Sequence, residues 1–457
     1  MTEEFSELPA PPARAASPVD GPLSWDGYDA ARDRARERTG EPESVVTGVA
    51  TIGGARAVLV SFEFGYLGGS LGERTGDRLA TAHAHARALR LPIVSLIATG
   101  GSRMQEGMRA LSQLQRLAGQ SALTRAAGLP QIAVLRDPAT GGGWATLGAG
   151  ADVILALPRA QVGFAGSRVR PCDADPHAYT AEAQWSAGHI DALVPPHRLR
   201  PTLARWLRLL GGHGPVTAGG TGGTETAESA PAPAPAPPPH ALGAAELPAT
   251  GWEAVRRARD PRRPRAEAYL DAYFDWREEI SGDRCGGVDD GVRCGFGLRD
   301  GRTIAFAAQC GTPTRPAGFR TAARLIRSAD QLCVPVLTLV DTPGAANDAR
   351  AEQEGAGPAI ADAFAALATA RTPLTSLLIG EGGSGGALAL AAPDRLWATP
   401  DSYFSVIGPE SAAAILKRDA NEIRHTADQL RLRPQDLLDL GIIRGIVSRA
   451  PGAGPAP

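Results

Sequence analysis

The chain has 457 residues, 43% of them hydrophobic, and a formal net charge of −2 at pH 7. That length suggests two or three domains of about 150 residues with packed cores. The near-neutral balance gives no general attraction to nucleic acid or an anionic membrane, and no stretch of about 18 apolar residues could span a bilayer. Five cysteines, at 172, 285, 294, 310 and 333, form no CxxC, which argues against a disulfide framework and a Cys₄ zinc site.

In chain order, residues 1–43 open with the acidic, Pro-rich MTEEFSELPAPPARAASP. This is unlike a signal peptide, so a cytoplasmic protein is expected, and the segment reads as disordered. Residues 44–212 read as a first domain. ARAVLVSFEF (55–64) and LPIVSLIATGG (91–101) are strand-like, and a helical stretch leads to LPQIAVLRDPATGGGWATLGAG (129–150). His83 and His85 lie two apart in a helical stretch, so they do not share a face as metal ligands at i,i+4 would. No metal is expected. Residues 213–248, with PAPAPAPPP, read as a semi-rigid linker of polyproline II character.

Residues 249–450 read as a second domain on the plan of the first, followed by a tail, 451–457. VPVLTLVDTPG (334–344) leads through a helical stretch to TPLTSLLIGEGGSGGALALAA (372–392). Pro92 and Pro130 are 38 apart, as are Pro335 and Pro373; Pro158 precedes Gly166 by eight, as Pro400 precedes Gly408. Matches in one order at nearly one offset indicate an internal duplication. Short continuous apolar runs alternating with helices suit buried parallel strands, hence an α/β fold. Each half carries a glycine-rich turn at a strand end: TGGGWA (140–145) and EGGSGGA (381–387). Such a turn either lets backbone N–H groups approach an anion or simply packs strand against helix. Neither contains a GxxxxGK[ST] phosphate loop or a dinucleotide fingerprint.

With these segments aligned, the chain resembles the carboxyltransferase component of bacterial acetyl-CoA carboxylase, its β-like half fused to its α-like half. FEFGYLGGSLG (62–72), ATGGSRMQEGM (98–108) and GFAGSRV (163–169) are β-like. RPRAEAYLDAYFD (263–275), VDTPGA (340–345), IGEGGSGGALAL (379–390) and YFSVIGPESAAAILKRDA (403–420) are α-like. The resemblance covers residues 45–210 and 255–450. It implies two tandem crotonase-like ββα superhelix domains and transfer of carboxylate from carboxybiotin to an acyl-CoA, acetyl-CoA being the expected substrate.

By resemblance, the glycine turns are oxyanion holes. Gly141 and Gly142 serve the thioester enolate, and Gly385 and Gly386 the ureido oxygen of biotin. Gly68 and Gly69 are expected beside the thioester. Gly100, Gly101 and Arg103, and in the other half Gly382, Gly383 and Ser384, are expected to contact CoA or cofactor. Arg103 could face a CoA phosphate or an acyl carboxylate, or be a solvated or helix-capping arginine. Trp144 either packs in the core or narrows the acyl pocket. Lys417, the only lysine, is the one Schiff-base candidate or else a solvated side chain. The chain contains no biotin site, so a separate biotin carboxyl carrier protein and a biotin carboxylase are implied. So is a homodimer or higher oligomer with sites between β-like and α-like domains.

Departures from the family pattern are the lack of a cysteine before Ser44 for a zinc ribbon, shortened stretches at 170–184 and 310–320, and DTPGAANDAR without Tyr-Pro. They leave two alternatives on the same fold: a biotin-independent malonyl-thioester decarboxylase, and a non-catalytic scaffold subunit.

Overall fold

The computed structural model describes residues 1–9, 11, 18–211 and 233–450, in two compact units, Met1–Gly222 and Gly223–Pro457. In the first unit the strands are β1 Glu4–Glu7, β2 Val45–Ile52, β3 Ala55–Phe62, β4 Ile93–Thr99, β5 Gln131–Thr140, β6 Val153–Ala156, β7 Val162–Gly163 and β8 Ala192–Leu193. They form one sheet in the order β1-β2-β3-β4-β5-β6-β8, with β7 beside the C-terminal end of β5. Pairing is antiparallel from β1 to β3 and parallel from β3 onward.

The second unit holds β9 Trp276–Ile280, β10 Val292–Arg299, β11 Arg302–Gln309, β12 Val336–Thr342, β13 Leu374–Gly383, β14 Leu396–Ala398, β15 Tyr403–Ser405 and β16 Gly445–Ile446. Its order is β16-β14-β13-β12-β11-β10-β9, with β15 beside β13. Each strand has a counterpart in the first unit, so the duplication read from proline spacing is present in the topology. It extends to irregularities: the register slips between Ile97 and Thr99 on β4 and between Val340 and Thr342 on β12.

Every residue of β4 and of β12 is buried, as expected for apolar strands covered on both faces. The crossover helix Pro316–Gln331 shows why. Phe319, Ala322, Ala323, Leu325, Ile326 and Ala329 are buried, with Arg320, Arg324 and Arg327 between them in sequence. One apolar stripe faces the sheet and the arginines face outward.

Two expectations need correction. Residues 1–43 are not uniformly unstructured: Glu4–Glu7 pairs with β2, and Tyr28–Thr39 is a helix. An acidic, Pro-rich composition hid a strand whose stability rests on backbone pairing and on Gly48, where a Cβ would lie 2.2 Å from the Phe5 ring. Nor is 213–248 all linker. The stretch from Pro233 belongs to the second unit, where Ala236 is fully buried in the core. A polyproline II backbone makes no internal hydrogen bonds, so its carbonyls are free to accept. Tyr273 Oη donates to Pro237 O at 2.7 Å, Thr375 Oγ1 to Ala236 O at 2.8 Å and Arg302 to Ala234 O at 2.6 Å. The rest of the expected linker, 213–232, the preceding residue 212 and the tail, 451–457, lie outside the described residues.

Candidate active site

In the first unit, β5 ends at Thr140 and the chain turns directly into a helical segment at Gly141. Gly141 has φ +66°, and a Cβ there would lie 2.8 Å from Gly101 Cα, so only glycine fits. Its N–H donates to Phe164 O at 3.1 Å. Gly142 and Gly143 follow as the next helical residues, with no preceding turn to accept their N–H groups. Both residues are buried, and neither N–H meets an acceptor among the described residues. The segment continues as a π-helical turn, Trp144–Gly148, in which Ala149 N donates to Trp144 O at 2.7 Å. Such turns are frequent at functional sites.

The loops after β3 and β4 support this turn. Gly100 N donates to Gly68 O, Leu71 N to Gly101 O and Arg103 N to Leu71 O, each at 2.9 Å. Gly69 is obligatory, since a Cβ would meet Ala98 O at 2.1 Å. Gly101 N donates to Thr99 Oγ1 at 3.0 Å, and Thr140 Oγ1 to Thr99 O at 3.0 Å. The structure therefore brings Gly68, Gly69, Gly100, Gly101, Gly141 and Gly142 together.

The second unit repeats the device with one difference. Thr342 on β12 pairs with Gly382 on β13 as Thr99 pairs with Ala139. Ser384 thus occupies the place of Gly141, and its φ is +52°. Gly385 matches Gly142, and Gly386 matches Gly143. The N–H groups of Gly385 and Gly386, in the helical turn Ser384–Leu388, find no acceptor among the described residues. The expected pairing of Gly142 with Gly386 is therefore off by one, because a Gly-Gly dipeptide in each half does not fix the register. Gly382 and Gly383 are buried behind the turn: Cβ atoms there would meet the Phe404 ring at 2.7 Å and Pro343 O at 1.9 Å. They are close-approach glycines rather than contact residues. Ser384 is exposed, and a Cβ on Gly385 would meet nothing within 4 Å.

Three features escaped the sequence reading. Gln309 Nε2 donates to Gly386 O at 3.0 Å and to Thr314 Oγ1 at 3.1 Å, pinning the second turn. Asp341 lies at the register slip; it accepts from Glu381 N at 3.0 Å and from the buried Arg263 at 2.6 and 2.8 Å. Thr99 and Thr342 each accept from the N–H of the glycine two residues on, the latter from Gly344 at 3.2 Å. The parallel T-G-G and T-P-G triplets were the available signal for that pair.

Arg103 is neither a CoA contact nor a solvated arginine. It is 1% exposed, between Glu43 and Glu106. No local pattern marks Glu43, 60 residues upstream, as its partner. Trp144 is part of the core cluster and packs on Gly148. His83 is buried, its Nδ1 2.9 Å from Thr124 Oγ1; burial, helped by Arg87, pushes its pKa down to about 4. Lys417 is exposed, just past the helix Pro409–Ile415. Among the described residues no helix is long and apolar enough to cross a membrane, and no cluster of three or more His, Cys, Asp or Glu is placed to hold a metal ion.

Residues 247–455 match the family described as acetyl co-enzyme A carboxylase carboxyltransferase-like, and residues 22–191 match the carboxyl transferase domain. The chain is 39% identical to the acetyl-coenzyme A carboxylase carboxyl transferase subunits beta/alpha of Salinispora arenicola, over 93% of this chain and 76% of that one. The chain belongs to the acetyl-CoA carboxylase carboxyltransferase family. Another relative in this carboxyltransferase group, from Mycobacterium tuberculosis, is named a probable biotin-dependent acyl-coenzyme A carboxylase beta3 subunit; it is 34% identical over 97% of this chain and 87% of its own. Among solved structures, a transcarboxylase 12S described as a hexamer assembly aligns with TM-score 0.75 at 20% identity, covering 98% of this chain and 84% of that one. A single-chain, multi-domain long-chain acyl-CoA carboxylase aligns with TM-score 0.71 at 19% identity, covering 98% and 43%. These two likenesses establish the shared crotonase-like carboxyltransferase fold.

Proposed function

We propose that the chain divides biotin-dependent carboxyl transfer between its units, the first holding the acyl-CoA thioester and the second the biotin ureido group. The observation that carries this is the pair of matched turns, each with two adjacent N–H groups lacking an acceptor among the described residues. A buried N–H without a partner is uncommon in a folded protein, so two pairs at equivalent strand ends are suited to a ligand oxygen.

The fit is chemical. A thioester enolate carries its charge on an oxygen bonded to planar carbon, and Gly142 and Gly143 N–H can meet such an oxygen together. Gly385 and Gly386 N–H are equivalent donors for a ureido oxygen. Each fixed donor of this kind is typically worth about 2.7–4 kcal/mol to the developing charge. Biotin, when bound, supplies the carboxyl group and an oxygen able to take the α-proton of the acyl group. The chain's own part is to bind the two oxygens and keep them oriented. Its donors are backbone amides, so they hold charge without exchanging a proton.

The acyl group is acetyl in this reading, as the relatives' names suggest, and biotin arrives on a separate carrier protein charged by a separate biotin carboxylase. An oligomeric assembly is part of the proposal. Phe164 (74% exposed) and Val406 (75% exposed) follow the matched strands β7 and β15 and leave apolar surface beside each turn. The test is incubation of the purified chain with malonyl-CoA, with and without biotin. Acetyl-CoA formed only with biotin supports the proposal. Acetyl-CoA formed without biotin points to a decarboxylase, and no reaction points to a scaffold subunit.

A further inference from the structure

We infer that Arg103 is a positioning residue for the thioester-side donors, acting through the two glycine loops on which the Gly141 turn is seated. The inference rests on the first unit's turn being the thioester site.

Arg103 Nε donates to Ser70 Oγ at 3.2 Å, and Nη2 donates to Ser70 O at 2.8 Å and Ser44 Oγ at 3.2 Å. Nη1 reaches Glu43 Oε2 and Glu106 Oε1, both at 3.2 Å, and Tyr28 Oη at 3.3 Å. Nη2 also binds Glu43 Oε1. The partners come from both loops and from the segment before them. Ser70 sits in the loop that carries Gly68 and Gly69. Glu106 lies three residues beyond Arg103, and its other oxygen accepts from Glu73 N at 2.6 Å, the first residue of helix Glu73–Leu89. Gly72 leaves the room this needs: a Cβ there would be 2.5 Å from Glu106 Oε1 and 2.8 Å from Arg103 Nη1.

The guanidinium thus lies beneath the loops, tied to one by side chain and to the other by being part of it. Gly101, two residues before Arg103, is the surface against which Gly141 closes: a Cβ on Gly141 would lie 2.8 Å from Gly101 Cα. A shift of the 100–103 loop therefore moves the turn that aims Gly142 and Gly143. Lysine keeps the charge but loses the planar fork that reaches Glu43, Glu106 and Ser70 at once.

The test compares wild type with Arg103→Lys. Turnover with free biotin is measured on malonyl-CoA and on malonyl-N-acetylcysteamine thioester, which lacks the nucleotide. Amide hydrogen exchange is measured in peptides covering 98–107 and 139–148. The expected result is a fall in kcat of about ten- to a hundredfold on both thioesters, consistent with a small misplacement of a donor. KM for malonyl-CoA should stay within about twofold, and exchange should speed up in both peptides. A raised KM on malonyl-CoA with no effect on the truncated thioester would instead make Arg103 a nucleotide contact and overturn the inference. So would unchanged kcat and exchange. If Arg103→Lys does not fold, Glu106→Gln is read the same way, and unchanged kcat and exchange in it are equally fatal. A wild type without biotin-dependent turnover would sink the proposed function, while exchange at 139–148 would still decide the role of Arg103.

Discussion

Gly385 is the residue at which the second turn can be tested without damaging its support. A Cβ there enters open space, whereas one on Gly386 would lie 2.3 Å from Ala345 N. Gly385→Val should therefore fold normally and lose about 10²–10³-fold in biotin-dependent turnover, the usual effect of disabling one oxyanion donor. Calorimetry should show unchanged acyl-CoA affinity; loss of that affinity would reverse the assignment of the halves. Gly142→Val should block thioester chemistry with or without biotin while still folding, since the nearest atoms to its Cβ, from 2.5 Å, belong to the flexible Leu114 side chain. His83 gives a pH prediction. Its pKa falls from 6.5 to about 4 on folding, because burial disfavours the cation and Arg87 repels it. The unfolded chain then binds a proton below about pH 6.5 that the folded chain refuses until about pH 4. Its contribution to stability is thus lost as pH falls through that window, by about 3 kcal/mol in all. Urea melts of His83→Gln should show a shallower decline over that range than wild type, and parallel curves would rule the effect out.

At the level of elements, the strand ends were legible and their fastenings were not. Pro92, Pro130, Pro335 and Pro373 marked where buried strands begin, and the continuous runs IVSLI and VLTLV read correctly as β4 and β12, because local pattern sets both. The glycine turns were legible as positions. The donors of the first turn lie one residue later than expected, because the helical start is set by the Thr99–Ala139 and Thr342–Gly382 registers, which are tertiary. Arg103 with Glu43, and Arg263 with Asp341, were invisible for the same reason: buried ion pairs join residues 60 and 78 apart. Breaking the second pair should be severe. Arg263→Met leaves Asp341, fully buried, with only the more distant and partly exposed Arg265, at 3.7 Å, as a charge partner, at a cost of about 3–5 kcal/mol to the second unit. Arg350→Ala, which removes the exposed pair with Glu354, should change stability by about 0–1 kcal/mol in the same denaturant titration. Equal effects would mean that Asp341 is neutral in the folded state.

On the scale of the whole chain, the second unit reaches back past its expected start to the polyproline stretch. A fragment beginning at 249 lacks the Ala236 and Pro237 carbonyls and leaves the buried Thr375 hydroxyl without its acceptor. Each unsatisfied buried group costs about 1–3 kcal/mol. Such a fragment should melt about 5 °C or more below one beginning at 223, by differential scanning calorimetry. Equal melting would show that the stretch is merely laid on the surface. The matched turns also govern how the protein must be probed. No replacement except proline, which also locks φ, deletes an amide, so alanine scanning across either half would reveal the props—Arg103, Gln309, Thr99—and pass over the donors themselves. An amide-to-ester exchange at Gly142 or Gly385, which removes one N–H while leaving the chain's outline nearly intact, reads those donors directly.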